Sequence, residues 1–247
     1  MSDEVDRETY KGWTIKIVYD ESPSNPRTEW DNFGHMLCFH SGYNLGDEHQ
    51  YSSDQYESLE ELFKEIEKEK GECYMLPLRL YDHSGISIST SESYPYNDRW
   101  DSGSVGFIYV SRKEILKEYK VKKVSKTLRK TVMDNLQCEV ETYNQYLTGD
   151  VYGYVVEDPV DEEVDSCYGF YGSDFKDNGL RECAEQIIDD AKPDYDKKAK
   201  TEKDLKTTLQ NNNLTINNLK ESWKGNLITD EQLQRYAGKI VYNEVQK

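Results

Sequence analysis

The four histidines are the first side chains in this sequence that could bind a metal or transfer a proton. His35 and His40 flank the short apolar run HMLCFH, while His49 and His83 lie elsewhere. Residues five apart on one strand point to opposite faces, so His35 and His40 are not expected to share a metal ion. Structural roles, such as capping a turn, are the favoured interpretation.

The string YDHSG places Asp82, His83 and Ser84 next to one another, and these are the residue types of a hydrolase triad. Adjacent residues on one strand or turn cannot form the nucleophile–base–orienter geometry among themselves. A hydrolase would therefore need a partner from elsewhere, such as Asp101 or Asp31. An enzyme of this kind, or a metal-dependent hydrolase, is the alternative to a binding protein.

Aspartates beside turns recur along the chain and could gather around Mg²⁺ or Ca²⁺. They are Asp31, Asp47, Asp82, Asp101 and Asp150. Capping of the turns by these side chains explains the same pattern with fewer assumptions. The sequence contains neither GxxxxGK[ST] nor a strand–GxGxxG–helix unit, so the nucleotide sites that those motifs build are not expected. We therefore predict no catalytic residue, no metal and no cofactor.

The turns join short runs of β-branched and aromatic residues, which are typical of antiparallel strands. The most regular runs cover residues 86–90, 105–110, 147–157 and 164–175. We predict that they form the spine of one antiparallel sheet. Turns are predicted at Gly85 and Gly103, and Pro77 indicates an edge position or a bulge in the strand over residues 73–81.

Helical periodicity appears between these strands. Ser58 with Glu61, and Ser111 with Glu114, have the spacing of capping boxes. The longest helix is predicted over residues 125–147, because one apolar stripe runs along it. The stripe consists of Leu128, Val132, Leu136, Val140, Tyr143 and Leu147. The predicted fold class is α+β, an antiparallel sheet with helices packed on one face.

The two ends of the chain are predicted to differ from this central part. Residues 1–10 read as an acidic, frayed leader, and a further helix is predicted over residues 178–191. Beyond Pro193 a sequence rich in Lys, Asn and Gln predicts a C-terminal helical hairpin with its break at Gly225 and Asn226. We therefore predict an acidic α+β domain, residues 1–191, and a helical appendage, residues 192–247.

The net charge changes sign at the same border. Residues 1–191 contain 20 Lys and Arg against 40 Asp and Glu, a net of −20, whereas residues 192–247 contain 11 against 8, a net of +3. A body of net −20 is expected to repel nucleic acid and membrane head groups and to attract basic partners. Nucleic-acid binding is expected only of the tail, through Lys197, Lys198, Lys200, Lys203 and Lys206.

Cysteine usage and hydropathy indicate the compartment. The five cysteines include no CxxC pair, so we expect reduced thiols. No apolar run approaches the roughly 20 residues that cross a membrane, and the N-terminal residues lack the pattern of a signal peptide. The expected location is the cytoplasm of a bacterial host.

Three strings along the chain are distinctive: YDESPSNPRTEWDNFGHMLCFHSGYNLGDEH, YDHSGISISTS with DRWDSGSVGFIYVSRKEI, and EVETYNQYLTGDVYGYVVE. On these strings the chain resembles, over residues 13–190, a family of uncharacterised proteins of bacteriophages, plasmids and integrative elements. Members carry similar strings in the same order. The resemblance implies a genomic setting, mobile DNA that must survive host defence, and no particular activity.

A strongly acidic protein in that setting predicts an anti-defence function of the antirestriction or anti-CRISPR type. It would inhibit a host defence protein at a basic surface that normally receives nucleic acid, with carboxylates in place of phosphates. The predicted partner-binding residues are Glu157, Asp158, Asp161, Glu162, Glu163, Asp165, Asp189 and Asp190, with Tyr152, Tyr154, Tyr168 and Tyr171 as aromatic anchors. A regulatory or interaction module whose acidity serves solubility is the other alternative.

Overall fold

The computed structural model describes residues 4–83, 85–90 and 102–211, together with Glu221 and Lys224. The chain divides into two compact units, Met1–Ala184 and Glu185–Lys247. Ser84, Asp101 and the predicted break at Gly225 and Asn226 lie outside the described residues. In the part of the chain that is described, no helix is both long enough and apolar enough to cross a membrane.

The described strands all belong to the first unit. In chain order they are β1 (Glu4–Tyr10), β2 (Trp13–Tyr19), β3 (His35–Cys38), β4 (Cys73–Asp82), β5 (Ile86–Ser89), β6 (Ser102–Ser111), β7 (Val151–Glu157) and β8 (Glu163–Tyr171). They form two antiparallel sheets of four strands each. The first sheet has the order β1-β2-β7-β8, and the second has the order β3-β6-β4-β5.

The described helices begin where the sequence supplies N-caps. They are α1 (Leu59–Lys70), α2 (Arg112–Glu118), α3 (Lys126–Thr148) and α4 (Leu180–Asn211). Ser58 caps α1, Ser111 forms a complete capping box with Glu114 at the start of α2, and Ser125 caps α3. The α3 helix ends at Thr148 and is capped by Gly149, which has a left-handed φ of +72°.

The second sheet lies between two helices. The α3 residues Leu136 and Val140 share a core cluster with Met36 and Ile108, while Leu62 of α1 shares another cluster with strand residues that include Phe107. Phe107 and Ile108 are consecutive on β6, so their side chains point to opposite faces of the sheet. Both faces are therefore covered.

The predicted α+β class is confirmed, but the prediction of one sheet with helices on one face is wrong. The run over residues 147–157 contributes β7, which pairs with β2 rather than with the strands of the second sheet. The predicted frayed leader is instead β1, which forms a hairpin with β2. Lys11 and Gly12 at its turn both have positive φ, +51° and +85°. A two-residue turn of this kind matches the right-handed twist of paired strands.

Three local predictions have different outcomes. Pro77 pairs with Phe107 of β6, and β5 joins β4 only from Arg79 onward, so Pro77 lies on a locally open edge, next to a bulge. Gly85 has the positive φ of its predicted turn, +140°. Gly103 is not a turn residue, because it lies inside β6 and pairs with Leu80.

The helix predicted over residues 178–191 continues as α4 to Asn211, through Pro193. A proline inside a helix removes one N–H donor and crowds the preceding turn. In α4 an ion pair spans this position, because Lys192 Nζ lies 2.9 Å from Asp196 Oδ2. Pairs four residues apart on a helix stabilise it by a few tenths of a kcal/mol, about 0.2–0.5. Such a pair offsets part of the proline's effect.

Candidate partner-binding surface

The turn between β7 and β8 is held by one buried carboxylate. Asp158 is 6% exposed, and its Oδ1 accepts hydrogen bonds from the N–H groups of Val160 and Glu162 at 2.9 and 3.0 Å. Asp161 occupies the left-handed region with φ +64°. This turn presents Asp161, Glu162 and Glu163 to solvent. We refer to these three residues as the hairpin carboxylates.

Exposed apolar side chains lie on the same β7–β8 hairpin as the hairpin carboxylates. Val160, Val164 and Tyr168 are 65%, 42% and 47% exposed. The ring of Tyr168 lies across the backbone at Gly153, where an added Cβ would come within 2.4 Å of Tyr168 Cδ1. Because Gly153 has no side chain, the Tyr168 ring can pack against the backbone of β7. Tyrosine is enriched in protein interfaces and their rims are polar, so exposed valine and tyrosine with carboxylates on the same hairpin fit an interface whose rim holds the carboxylates.

Strand β1 brings further charges to the neighbourhood of the turn. Arg7 donates to Glu4 at 2.8 Å, and Lys16 of β2 is hydrogen-bonded to Glu157. The hydrogen bond that Arg7 donates to Glu4, together with the nearby charges of Glu157 and Asp161, raises the pKa of the Arg7 guanidinium. Glu4 and Glu157 are thus ion-paired. Within the described ranges, the hairpin carboxylates have no ion-pair partner.

Three of the predicted partner-binding residues are buried and do not belong to this surface. Asp158 holds the turn, as described above. Tyr152 and Tyr154 are 6% and 3% exposed, because β7 is a central strand of the first sheet. Burial and hydrogen bonds to Asp150 and Asp165 raise the pKa of both phenols. We therefore remove these residues from the candidate surface.

The remaining predicted residues are dispersed. Asp165 accepts the hydrogen bond of Tyr154, and Tyr171 donates its hydroxyl to the carbonyl of Ser24. Asp189 and Asp190 are exposed on the part of α4 that lies in the second unit. The hairpin carboxylates and Tyr168 are what the structure brings together on one exposed element.

The described histidines have structural partners. His35 Nε2 lies 2.9 Å from Glu114 Oε1, and His40 Nδ1 accepts the N–H groups of Gly42 and Tyr43 at 3.1 and 3.2 Å. His40 therefore caps a turn. The Tyr43 hydroxyl donates in turn to Asp82 at 3.4 Å, which joins the YNLGD and YDHSG strings in space.

His49 lines a cleft of about 460 Å³ between residues 38 and 52. Its Nε2 lies 3.1 Å from the carbonyl of Cys38, so Nε2 carries the proton. Its Nδ1 is buried without a hydrogen-bond partner among the described residues. A lone neutral imidazole can accept a proton. No nucleophile or orienting carboxylate is bonded to this imidazole in the described part of the chain.

The predicted aspartate cluster does not form among the described residues. Asp47 is bonded to Arg27, Asp82 to Tyr43 and Asp150 to Tyr152, at separate places in the fold. Across the described ranges, no group of three or more His, Cys, Asp or Glu side chains could hold a metal ion.

A buried ionic cluster joins the strings WDNFG, YNLGD and EVETY. Arg27, whose side chain is 1% exposed, donates to Asp47 at 2.7 and 2.8 Å and to Glu139 at 2.7 Å. Glu139 also accepts the N–H groups of Phe33 and Gly34, at 2.9 and 3.0 Å. The cluster fixes the loop before β3 against α3. These polar residues therefore have a structural explanation.

The charges of β1 are the surface residues that sequence analysis missed. The leader was expected to fray because it is acidic, yet it carries the signal of a hairpin strand. Val5, Thr9 and Tyr10 have high β propensity, and Lys11-Gly12 stands directly before the apolar strand β2. This turn signal could have identified β1.

Comparison with known proteins gives no relative from which a function could be transferred. No family model matches the chain, and neither a curated protein nor a solved structure is detectably similar to it.

Proposed function

We propose that the protein is an anti-defence inhibitor that binds a host protein at a basic, nucleic-acid-binding surface. The observation that carries the proposal is the hairpin at the edge of the first sheet. There Asp161, Glu162 and Glu163 are exposed, without an ion pair to any residue that the structure describes, on the same hairpin as the exposed Val160, Val164 and Tyr168. The net charge of −20 over residues 1–191 and the resemblance to proteins of mobile DNA support the same function.

The mechanism is competition for a cationic surface. Carboxylates on a rigid hairpin present negative charge to Arg and Lys side chains, much as phosphates do. The apolar side chains next to them supply the desolvated contacts that usually dominate binding energy. Charge then mainly sets the association rate and the choice of partner, while Tyr168 and the valines slow dissociation.

The test begins with affinity capture from a bacterial host lysate by the immobilised full-length chain. A captured protein is then purified and its own nucleic acid is labelled. We expect the chain to displace that nucleic acid in a competition assay. An inhibitor that leaves the labelled nucleic acid in place would contradict competition for the same surface.

Neutralising the hairpin carboxylates together is expected to weaken this binding by several-fold to about a hundredfold. The variant is Asp161→Asn, Glu162→Gln, Glu163→Gln. Single exposed ion pairs are worth only about 0–1 kcal/mol, so one substitution should barely register while three add up. The loss should be mostly in the association rate. Surface plasmon resonance at about 50 and 300 mM salt measures it, because screening increases over that range.

The matched control changes the net charge equally at another place. Asp54→Asn, Glu60→Gln, Glu65→Gln neutralises three exposed carboxylates on the 3₁₀ turn Ser53–Gln55 and on α1. This control should bind as the wild type does. Equal losses of affinity in both triple variants would show that only the overall charge matters. Affinity that changes neither with salt nor with the hairpin substitutions would exclude the proposed surface.

A further inference from the structure

One segment of the first unit has the opposite charge to the rest. Residues 112–130 contain nine Lys and Arg and two Glu, a net of +7, in a region of net −20. The other residues of 1–191 therefore carry 11 basic and 38 acidic side chains, a net of −27. Residues 112–130 are therefore a basic segment within an acidic domain.

The fold turns all nine cations outward. They are Arg112, Lys113, Lys117, Lys120, Lys122, Lys123, Lys126, Arg129 and Lys130, and each is exposed. The apolar side chains of the same segment point the other way, since Ile115 is in the core and Tyr119, Val124 and Leu128 pack against it. We name these nine residues the cationic face.

The two helical parts of the cationic face lie next to each other. Arg129 of α3 is placed over the ring of Tyr74, 5.4 Å from its centroid. Burial and a hydrogen bond with Glu72 raise the pKa of Tyr74, while the charges of Arg129 and Arg112 oppose that increase. Both guanidinium groups therefore lie close to one hydroxyl, although they are 17 positions apart in the sequence.

Few carboxylates neutralise the cationic face. Within the described ranges its one ion pair joins Arg112 to Glu72, at 3.7 Å. The segment's own Glu114 is bonded to Ser111 and His35. The lysines thus keep their charge available.

The position of Lys126 does not stabilise helix α3. Lys126 is the first residue of α3, and the first turn of α3 contains no acidic residue. The N-terminal end of a helix carries a partial positive charge, so a cation there is unfavourable. The N-terminal end of α3 and the lysines of the cationic face together attract anions.

We propose that the cationic face binds the phosphate backbone of a nucleic-acid strand without base specificity. Backbone contacts of this kind come from Lys and Arg and provide most of the affinity of nonspecific binding. The proposal concerns the face opposite in charge to the hairpin, and it holds whether or not the hairpin inhibits a defence protein. It replaces the expectation that only the tail beyond residue 191 could contact nucleic acid.

The composition of the cationic face favours nucleic acid over an acidic protein or an anionic membrane as its ligand. Seven of the nine cations are lysines, and lysine is depleted in protein interfaces. A membrane-binding face would need apolar side chains that insert between lipids. Val121 is the one large apolar side chain of residues 112–130 that is strongly exposed in the structure.

Fluorescence anisotropy with the full-length chain tests the proposal. The probes are a fluorescein-labelled 20-nucleotide single strand of mixed sequence and its 20-base-pair duplex. The variant is Lys122→Gln, Lys123→Gln, Lys126→Gln, Lys130→Gln. Four lost phosphate contacts on duplex should reduce the slope of log K against log salt by about 3.6. If both proteins bind equally at 1 M salt, the same relation lowers the affinity of the variant at 50 mM salt by roughly four orders of magnitude or more.

Two charge-matched controls locate the site. Lys64→Gln, Lys68→Gln, Lys70→Gln, Lys176→Gln changes the charge by the same amount elsewhere on the first unit. Lys197→Gln, Lys198→Gln, Lys200→Gln, Lys203→Gln tests the tail. Both controls should keep the wild-type slope. A loss confined to the tail variant, or equal losses in all three, would overturn the assignment.

Two further measurements check that the variant folds and whether the cationic face binds lipid instead of nucleic acid. The four-lysine variant should melt at the wild-type temperature or slightly above it, since Lys126 opposes the dipole of α3. Vesicles of one quarter phosphatidylglycerol in phosphatidylcholine serve as the lipid probe. Binding to these vesicles with no binding to either nucleic acid would overturn the proposal in favour of a membrane surface.

Discussion

Replacing Arg27 by Met is expected to destabilise the protein by about 3–5 kcal/mol, because it leaves two partly buried carboxylates without their shared cation. Asp47 and Glu139 both face the Arg27 guanidinium, and their side chains are 24% and 18% exposed. Arg27→Lys should restore only part of the loss, since an ammonium group cannot donate in parallel to both oxygens of Asp47. Equilibrium unfolding in urea measures each difference.

Two further variants sharpen this test. Arg7→Met removes a cation from the exposed pair with Glu4 and should leave the urea midpoint nearly unchanged. Arg27→Met with Glu139→Gln should recover part of the stability, because the amide oxygen still accepts from Phe33 and Gly34 while one charge is gone. An Arg27→Met midpoint equal to that of Arg7→Met would show that the cluster contributes no stability.

Gly106→Ala is expected to destabilise the second sheet by about 3 kcal/mol or more, at the upper end for overpacked cores. A Cβ at this position would lie 1.9 Å from the carbonyl oxygen of Leu37 and 3.1 Å from Cα of Cys38, both on β3. These atoms belong to a paired backbone and cannot rotate away. Strand β3 would have to separate from β6.

The same strand provides the control. Gly103→Ala adds a methyl group at a position of β6 where no atom lies within 4 Å. This variant should melt close to the wild-type temperature. Thermal unfolding followed by circular dichroism compares the two, and similar melting temperatures would mean that β3 and β6 can move apart at little cost.

Features determined by neighbouring residues could be predicted from the sequence. Ser58, Ser111 and Ser125 each accept a hydrogen bond from an N–H three residues later, and that spacing is visible in the sequence. The apolar stripe of α3 is equally local, and its inner residues Val132 and Leu136 are fully buried.

Strand pairing could not be predicted in the same way, because it joins distant segments. The partner of β7 is β2, more than a hundred residues earlier in the chain. Alternation alone does not say which strand lies at the centre of a sheet. For this reason Tyr152 and Tyr154 were expected on the surface but are buried.

The two candidate surfaces, too, could be predicted from the sequence only in part. Acidic residues between β7 and β8 indicate an exposed turn, but only the coordinates show that Asp158 is its buried cap while Asp161 faces solvent. The cationic face was hidden because charge was counted over 191 residues. A running sum over about 20 residues would have found residues 112–130.

The labelling rate of the buried Cys38 thiol measures how often the structure around it opens locally. Its side chain lies beside the Arg27 cluster, 7% exposed, and burial, with the nearby charge of Asp47, raises the pKa of the thiol to about 12. Thiolates attack disulfide reagents and release one half of the reagent as its thiolate, so Cys38 can react at neutral pH only when the loop around it opens. Cys138, Cys167 and Cys183 are exposed and react without such opening. Cys73 is half-buried, and burial raises the pKa of its thiol to about 11, so it is replaced by Ser in this measurement. The slow phase of thiol labelling then reports how often the core beside β3 opens in the folded protein.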